Sequence, residues 1–265
     1  MNSVRKKRQK KGFPLRFSLF LLLLLGIFHG LPFPWDSLSL PSSPEAAIRQ
    51  ITSEPSSDAW KAEAPSSADT RLPPYEGKPW VVLRGNVPDF PEGEFSTTSF
   101  ERYSELDALG RCGAAYANVG RDLMPTEKRG PIGQIKPSGW HTVRYDILDK
   151  KYLYNRCHLI GYQLTAENAN PRNLITGTRY MNVEGMLPFE NKVADYVKRT
   201  GNHVLYRATP VFEGNHLVAK GVELEAMSVE DRGTGIRFHV FCYNVQPGIV
   251  IDYATGESRI DTEKK

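Results

Sequence analysis

The sequence predicts an α+β fold in which an antiparallel β-sheet carries helices. After Gly201, apolar and polar residues alternate in three short runs, and glycine-containing turns separate these runs. Such a pattern is typical of antiparallel strands joined by hairpins. Before Gly201, apolar residues instead recur at helical spacing. The length of 265 residues allows one sizeable domain with appendages.

The N-terminal half of the predicted domain combines strand patterns with one helical pattern. The domain is expected to begin near residues 79–83, a strand-like run closed by Gly85 and Asn86. Residues 99–109 are predicted to form a helix, with Ser99 as the N-cap and Gly110 as the stop. Further strands are predicted at residues 114–119, 141–145 and 152–154, the last two around a turn at 149–151.

The C-terminal half is more regular. Apolar residues follow helical spacing from Met186 to Val197, and Gly201 fits a C-terminal stop. Pro188 is expected to start the regular part of this helix, which would leave Asn182 on a preceding turn. Strands are predicted at 204–207, 222–225 and 238–241, separated by turns at 214–215 and 233–235.

The domain is preceded by two segments of different composition. Residues 1–35 contain a basic stretch followed by an uncharged apolar run, which predicts an uncleaved signal-anchor or a cleaved signal peptide. Residues 36–74 are rich in Ser, Pro and Ala and are interpreted as a flexible linker. The domain itself is assigned to residues 75–265. It is expected on the extracellular side of the cell membrane, either anchored there or secreted.

The charge distribution limits the kind of nucleic-acid binding to expect. The formal net charge is +4, but residues 1–16 hold seven basic residues and no acidic one. The rest of the chain has 27 basic and 30 acidic residues, a net charge of −3. The body is therefore no globally basic nucleic-acid binder, and a phosphate-binding surface must be a local patch.

The three cysteines, Cys112, Cys157 and Cys242, are widely spaced. Without a CxxC pair they do not predict a structural zinc site. In an exported protein one pair could form a disulfide, but the favoured interpretation is three small buried apolar residues.

The most informative segment is 154–162, with His158 at its centre. His158 is a candidate general base, because a neutral imidazole can take a proton from an attacking water near pH 7. Its other ring nitrogen then needs an orienting partner such as a backbone carbonyl. Asn182 is a candidate ligand of a hard divalent cation through its side-chain oxygen. A base and a metal together are what phosphodiester hydrolysis requires.

These segments resemble the DNA/RNA non-specific endonucleases of the ββα-metal (His-Me finger) superfamily. The resemblance rests on Asn155–His158, the approach to Asn182, Phe189–Asn191, the run 173–182 and the later run 243–256. It covers about residues 80–258, and it is strongest to the branch of streptococcal secreted DNases and DNA-uptake nucleases. It implies a ββα-metal catalytic motif within the α+β fold. The family motif is usually Asp-Arg-Gly-His, so this chain departs from it at Asn155 and Cys157.

The resemblance implies roles for four residues. His158 would be the general base, and Asn182 would bind Mg²⁺, for which Mn²⁺ can substitute. Glu190 would hold water next to the metal or orient Asn182, and Arg156 would bind the phosphate or the leaving oxygen. The implied activity is hydrolysis of DNA, with RNA as a second candidate substrate, little sequence specificity and 5′-phosphate products. No protein partner is indicated. Weaker candidates for contacts with backbone phosphates are Arg179, Arg121, Lys128, Arg129 and Lys136.

Two other functions fit parts of the sequence. The changes at Asn155 and Cys157 are compatible with a catalytically weak or inactive nuclease-like receptor for DNA binding or uptake. A zinc hydrolase using His141, His158 and His203 with a cysteine is the other alternative, although the chain lacks a compact ligand motif such as HExxH.

Overall fold

The computed structural model describes residues 72–263. The predicted signal-anchor or signal peptide and nearly all of the predicted linker lie outside the described residues. Between residues 72 and 263, no helix combines the length and apolar character needed to cross a bilayer. In this range the strands are β1 (Trp80–Val82), β2 (Phe100–Tyr103), β3 (Ala115–Val119), β4 (Tyr154–His158), β5 (Leu174–Thr178), β6 (Val204–Val211), β7 (Gly221–Ser228), β8 (Arg237–Tyr243), β9 (Ile249–Ile251) and β10 (Ser258–Ile260), and the α-helices are α1 (Tyr162–Thr165) and α2 (Leu187–Thr200).

A six-stranded antiparallel sheet with the order β1-β8-β7-β6-β3-β2 forms the centre of the fold. β4 pairs with β5 and β9 pairs with β10 in two separate antiparallel hairpins. The three strands predicted after Gly201 are β6, β7 and β8, so that prediction is confirmed. The predicted α+β class is confirmed as well.

The two faces of the large sheet differ in chemistry because side chains alternate along each strand. On β6, Val204, Tyr206 and Ala208 enter the main hydrophobic core, whereas Arg207 points to the opposite face. The core face of the other central strands carries Ala115, Ala117, Val119, Val222, Leu224, Ala226, Phe238, Val240 and Cys242. We call the opposite face, with Arg207, Glu223, Glu225 and His239, the far face.

Helix α2 and the β4–β5 hairpin both pack on the core face. Phe189, Val193 and Val197 of α2 are buried in the main core, as the helical spacing predicted. Gly201 ends the helix in the left-handed conformation (φ 78°), and its N–H donates to the Val197 carbonyl. On the hairpin, Cys157 and Ile175 enter the same core. The hairpin and the start of α2 are therefore held together by one set of buried side chains.

The predicted helix at 99–109 is wrong. Residues 100–103 form β2, which pairs with β3 in the register Phe100↔Asn118. The Asp107 carboxylate then accepts from the backbone N–H groups of Leu109 and Arg111 and closes a turn, with Gly110 at φ 72°. Strand pairing with β3 and this side-chain turn outweigh a helical propensity that is weak in isolation.

The predicted strands at 141–145 and 152–154 are only partly present. A single bridge joins Arg144 to Tyr152, and the chain between them turns through Lys151 at φ 63°. Tyr154 instead opens β4 and pairs with Thr178 of β5. The alternation of residues 152–158 thus belongs to the β4–β5 hairpin.

Candidate active site

The site is a cleft of about 770 Å³ at the open side of the β4–β5 hairpin. His158 is the last residue of β4 and pairs with Leu174, the first residue of β5. A π-helical turn, Met181–Met186, follows β5 and runs directly into α2. His158, Asn182 of the π-helical turn and Glu190 of the first turn of α2 all line the cleft. The strand pair and the helix therefore bring together three residues that are far apart in the sequence.

His158 is fixed in one tautomer by its loop. Its Nε2–H donates to the Asn168 carbonyl oxygen over 2.8 Å, and because a carbonyl can only accept, Nε2 must carry the proton. In the neutral ring Nδ1 is unprotonated and accepts a hydrogen bond from Nη2–H of Arg129 over 3.4 Å. The expected orienting carbonyl is thus Asn168, and the ring presents an unprotonated nitrogen.

The environment keeps His158 neutral. Burial lowers the pKa of His158 to about 4, and the positive charge of Arg129 acts in the same direction. Hydrogen bonds to the backbone of Asn168 and Glu167 offset part of this effect. A histidine with a depressed pKa is unprotonated throughout the neutral range and so can accept a proton, but the same depression makes it a weaker base.

Asn182 lines the cleft. Its carboxamide is half-buried, and Oδ1 accepts a hydrogen bond from Sγ of Cys157 over 3.1 Å. The Leu187 N–H donates to the Asn182 carbonyl oxygen, the wide-turn bond of the π-helical segment. Asn182 thus lies on the turn before the regular helix, as predicted from Pro188.

Glu190 is buried beneath the cleft against Gly161. Burial raises the pKa of Glu190 to about 7, and the Gly161 amide, the Gln163 side chain and the charge of Arg129 offset part of that rise. A Cβ at Gly161 would lie 2.7–2.8 Å from the three carboxyl atoms of Glu190. Position 161 therefore needs glycine to leave room for the carboxylate.

The donor set of the cleft fits a magnesium ion. Asn182 offers an amide oxygen and Glu190 a carboxylate, and hard oxygen donors are what Mg²⁺ selects. Mg²⁺ also keeps several waters, so a single protein oxygen with a substrate phosphate is a sufficient set. Burial holds the pKa of the Cys157 thiol far above its usual range, so no thiolate competes as a soft ligand.

Arg156 lines the cleft, and two of its five N–H donors are bonded to backbone carbonyls. Its Nη2 donates to the Gly133 carbonyl over 2.7 Å, and its Nε donates to the Ile135 carbonyl. The guanidinium carbon lies 4.0 Å from the centre of the Trp140 ring. Arg156 therefore clamps the 133–140 loop against β4.

The basic residues predicted as phosphate contacts separate into two groups. Arg129 and Arg179 line the cleft together with Lys150, which the sequence did not single out. Arg121, Lys128 and Lys136 are exposed and do not line it. Arg121 instead donates to the Lys198 carbonyl near the C-terminal end of α2. The local basic patch is thus formed by Arg129, Lys150 and Arg179.

The zinc-hydrolase alternative is wrong. His158 bonds to Asn168, His141 to the Thr255 carbonyl and His203 to Glu230, so the three rings have separate partners. Among residues 72–263, the sole group of three metal-type ligands with adjacent donor atoms is Glu223, Glu225 and His239 on the far face. All three cysteines are free and buried, which confirms the favoured interpretation of the thiols.

Comparison with known proteins agrees with this geometry. Residues 94–230, just over half of the chain, match the family described as DNA/RNA non-specific endonuclease. The chain belongs to this family. The predicted resemblance is thereby confirmed.

A curated relative of this chain is a streptococcal nuclease. A deoxyribonuclease of Streptococcus dysgalactiae subsp. equisimilis is 26% identical over 202 residues, which are 60% of this chain and 61% of that protein. The chain thus spans about three fifths of the length of this curated relative.

Solved structures of the family share the fold. NucA from Streptococcus agalactiae with a magnesium ion bound superposes with a TM-score of 0.61 at 26% identity, over 68% of this chain and 86% of NucA. The Sda1 nuclease with a bound zinc ion gives a TM-score of 0.52 at 31% identity, over 61% of this chain and 81% of Sda1.

The sequence did not indicate the roles of three residues of the site, namely Arg129, Gly161 and Asn168. Arg129 was one of several loop cations, and nothing local marks it as the partner of His158. Gly161 follows two apolar residues and resembles an ordinary turn glycine. The Asn168 carbonyl reaches His158 because the chain after α1 folds back toward the end of β4. Only for Gly161 was there a usable signal, since a glycine three residues after a catalytic histidine suggests a close approach.

Proposed function

We propose that this protein is a magnesium-dependent nuclease that hydrolyses phosphodiester bonds of DNA, and of RNA as a second substrate, with little sequence specificity. The observation that carries this proposal is that His158, with an unprotonated Nδ1, and Asn182 line the same cleft. Similar proteins support the substrate class and a divalent metal: one is a deoxyribonuclease, NucA binds magnesium and Sda1 binds zinc.

His158 would remove a proton from the attacking water. Nδ1 receives this proton, and the Asn168 carbonyl keeps the ring in place by accepting from Nε2–H throughout. The resulting imidazolium would lie next to Arg129, a repulsion that favours rapid return of the proton to solvent. Base catalysis of this type contributes about 10²- to 10⁴-fold to a rate.

Asn182 and Glu190 would hold the magnesium ion, which supplies Lewis-acid stabilisation of the phosphate charge when bound. Asn182 contributes its side-chain oxygen directly. Glu190 orients water or the Asn182 side chain from its buried position against Gly161. The resemblance also implies 5′-phosphate products.

Arg129 is the better candidate than Arg156 for contact with the scissile phosphate. It lines the cleft and bonds the base, whereas two of the five N–H donors of Arg156 are bonded to the Gly133 and Ile135 carbonyls. Arg156 would act as a positioning residue that holds the cleft wall. Lys150 and Arg179 would contact flanking phosphates, and such contacts carry no base code, in keeping with weak specificity.

The experiment is digestion of supercoiled plasmid and of total RNA by the full-length protein with Mg²⁺, with Mn²⁺ and with EDTA. We expect metal-dependent cleavage of plasmid that is lost in His158→Ala. DNA binding without cleavage under any divalent cation would favour the alternative of an inactive binding or uptake receptor. Cleavage retained in EDTA would contradict the role of the metal.

We further propose that the domain acts outside the cytoplasm, as the composition of residues 1–35 suggests. Fractionation of cells that express the full chain tests this location. Activity in the medium would indicate a cleaved signal peptide, and activity on intact spheroplasts would indicate an anchor. Activity confined to the cytoplasm would contradict the proposal.

A further inference from the structure

The thiol of Cys157 lies directly behind the candidate metal ligand. Cys157 is fully buried on the inner side of β4, next to Met186 at 3.5 Å between the two sulfur atoms. Its single Sγ–H has three acceptors within reach, of which Oδ1 of Asn182 at 3.1 Å is the nearest and the His158 carbonyl at 3.7 Å the farthest. The strand alternation explains this direction, because His158 and Arg156 point to the cleft and Cys157 points to the core.

The orientation of the Asn182 side chain decides whether it can bind a cation. A carboxamide that rotates by half a turn exchanges its oxygen for an NH₂ group, which repels a cation. A donor directed at the oxygen favours one of the two orientations. Since a carbonyl oxygen has two lone pairs, one can accept from the thiol while the other stays free for the cation.

The thiol is a dependable donor at this position. The Cys157 side chain is fully buried, so water does not compete for the thiol proton. The position is also sterically fixed, because Gly177 on β5 leaves the space that the cysteine fills. A Cβ at Gly177 would lie 2.6 Å from Cβ of Cys157.

We propose that Cys157 is a positioning residue that bonds Oδ1 of Asn182, selects one of the two carboxamide orientations and so preorganises the cation site. The inference rests on the proposed function, since it assumes that Asn182 binds the metal. It gives the departure from the usual Asp-Arg-Gly-His motif a physical role, because a glycine at position 157 has no donor to offer.

The test compares Mg²⁺ binding to Cys157→Ala and Cys157→Ser in the full-length protein by calorimetry, without nucleic acid. Loss of one hydrogen bond predicts about two- to tenfold weaker binding for the alanine variant. The serine variant keeps a hydroxyl donor and should bind within about twofold of the wild type. The Mg²⁺ concentration for half-maximal plasmid cleavage should shift in parallel, with little change in the rate at saturating Mg²⁺.

Cys112→Ala is the matched control. Cys112 is also a buried thiol that donates to backbone carbonyls, those of Pro171 and Leu174, and it does not contact Asn182. This variant should melt earlier than the wild type but bind Mg²⁺ equally well. Cys157→Gly also lacks the donor and should show the loss seen with alanine, so the test does not depend on one variant folding.

A double-mutant cycle separates orientation from general packing. Asn182→Asp replaces the carboxamide by a carboxylate with two equivalent oxygens, so its rotation no longer matters. In that background Cys157→Ala should change Mg²⁺ affinity by less than about twofold. An undiminished effect there, or equal affinities of the alanine variant and the wild type, would overturn the positioning role alone. A wild-type protein that neither binds nor requires a divalent cation would overturn the proposed function itself.

Discussion

The cleft and the far face of the sheet each contain a buried histidine, and the two are held in opposite ways. His158 is 7% exposed and has one carbonyl partner on Nε2, with the Arg129 guanidinium near Nδ1. His239 is 1% exposed and has acceptors on both nitrogens, the Val87 carbonyl at 2.9 Å and the Glu223 carboxylate. His158 thus has one nitrogen that accepts from a cation, whereas both nitrogens of His239 face acceptors.

The partners decide the protonation state in each region. Burial by itself lowers the pKa of either histidine. At His239 the bonds to Glu223 and Val87 and the charge of Glu225 outweigh burial, and the net pKa is raised. At His158 no carboxylate is bonded to the ring, and the pKa falls to about 4. In this protein the histidine without an acidic partner is the candidate base, and the histidine bonded to a carboxylate has the raised pKa.

The carboxylates show the same contrast. Glu225 on the far face is paired with Arg207 over 2.6 Å and accepts from the Asp89 N–H. Glu190 below the cleft is not within salt-bridge distance of any basic side chain of the described residues, and its pKa is raised to about 7 by burial. Polar groups of the far face satisfy one another and fasten the 87–89 segment to the sheet. Those of the cleft retain atoms that are open to substrate.

The largest expected effect separates the two histidines by activity. His158→Ala should lower the rate of plasmid cleavage by about 10²- to 10⁴-fold, because the base is removed. His239→Gln should leave the rate per folded molecule within about threefold, since its ring does not reach the cleft. Initial rates with Mg²⁺ and circular dichroism spectra of both variants provide the measurement. Equal losses in the two variants would refute the assignment of the base.

The pH dependence of stability should differ in sign between the two histidines. For His158 the folded pKa of about 4 lies below the unfolded value of about 6.5, so its contribution falls as the pH decreases between these values. The fall approaches about 3 kcal/mol at low pH, at about 1.4 kcal/mol per tenfold change in proton affinity. For His239 the folded pKa is raised, so its contribution is complete below about pH 6.5 and is lost as the pH rises through the folded value.

Urea unfolding of the wild type, His158→Gln and His239→Gln between pH 5 and pH 8 tests these signs. Relative to the wild type, His158→Gln should gain stability toward acid and His239→Gln should lose it. Parallel pH curves for the two variants would contradict the contrast between the regions.

A smaller effect is expected from the carboxylates. Glu190→Gln should lower the cleavage rate by about 10- to 100-fold, in the range found for groups that support a metal ligand. Because the pKa of Glu190 is raised to about 7, the wild-type rate should rise with pH through that value, and the variant should lose this rise. Glu225→Gln should instead reduce stability with little effect on the rate of the folded protein. A pH–rate profile unchanged in Glu190→Gln would exclude its ionisation as the cause.

The smallest effect concerns the phosphate contacts. Arg129→Gln should weaken DNA binding at least severalfold and reduce the slope of log affinity against log salt by about 0.9, as expected for one lost phosphate contact. Arg121→Gln is the control, since its guanidinium is bonded to the Lys198 carbonyl outside the cleft. Fluorescence anisotropy at several salt concentrations measures both variants. Equal salt slopes for Arg129→Gln and the wild type would remove Arg129 from the interface.

Local sequence patterns correctly predicted the elements whose structure depends on nearby residues. The spacing of Phe189, Val193 and Val197 and the stop at Gly201 correctly predicted α2, and alternation predicted the three strands that follow it. The helix predicted at 99–109 failed because the pairing of β2 with β3 is set by residues elsewhere in the chain.

The residues of the candidate site were likewise predictable only in part. His158, Asn182 and Glu190 could be selected from their chemistry and motif, and the structure places all three at one cleft. Arg156 carried the same motif signal, yet its use depends on where the 133–140 loop runs. The partners that fix each group, such as Asn168, Gly161 and Cys157, are tertiary contacts that spacing does not encode.

The proposed mechanism depends on a neutral His158 with its proton on Nε2 and an unprotonated Nδ1. Long-range ¹H–¹⁵N spectra of the imidazole rings, recorded between pH 4.5 and 8 and assigned with His158→Gln and His239→Gln, measure this directly for a chain with six histidines. We predict a neutral Nε2–H ring for His158 down to about pH 5 and a doubly protonated ring for His239 at pH 6. A protonated His158 at pH 7, or a neutral ring with its proton on Nδ1, would contradict the account.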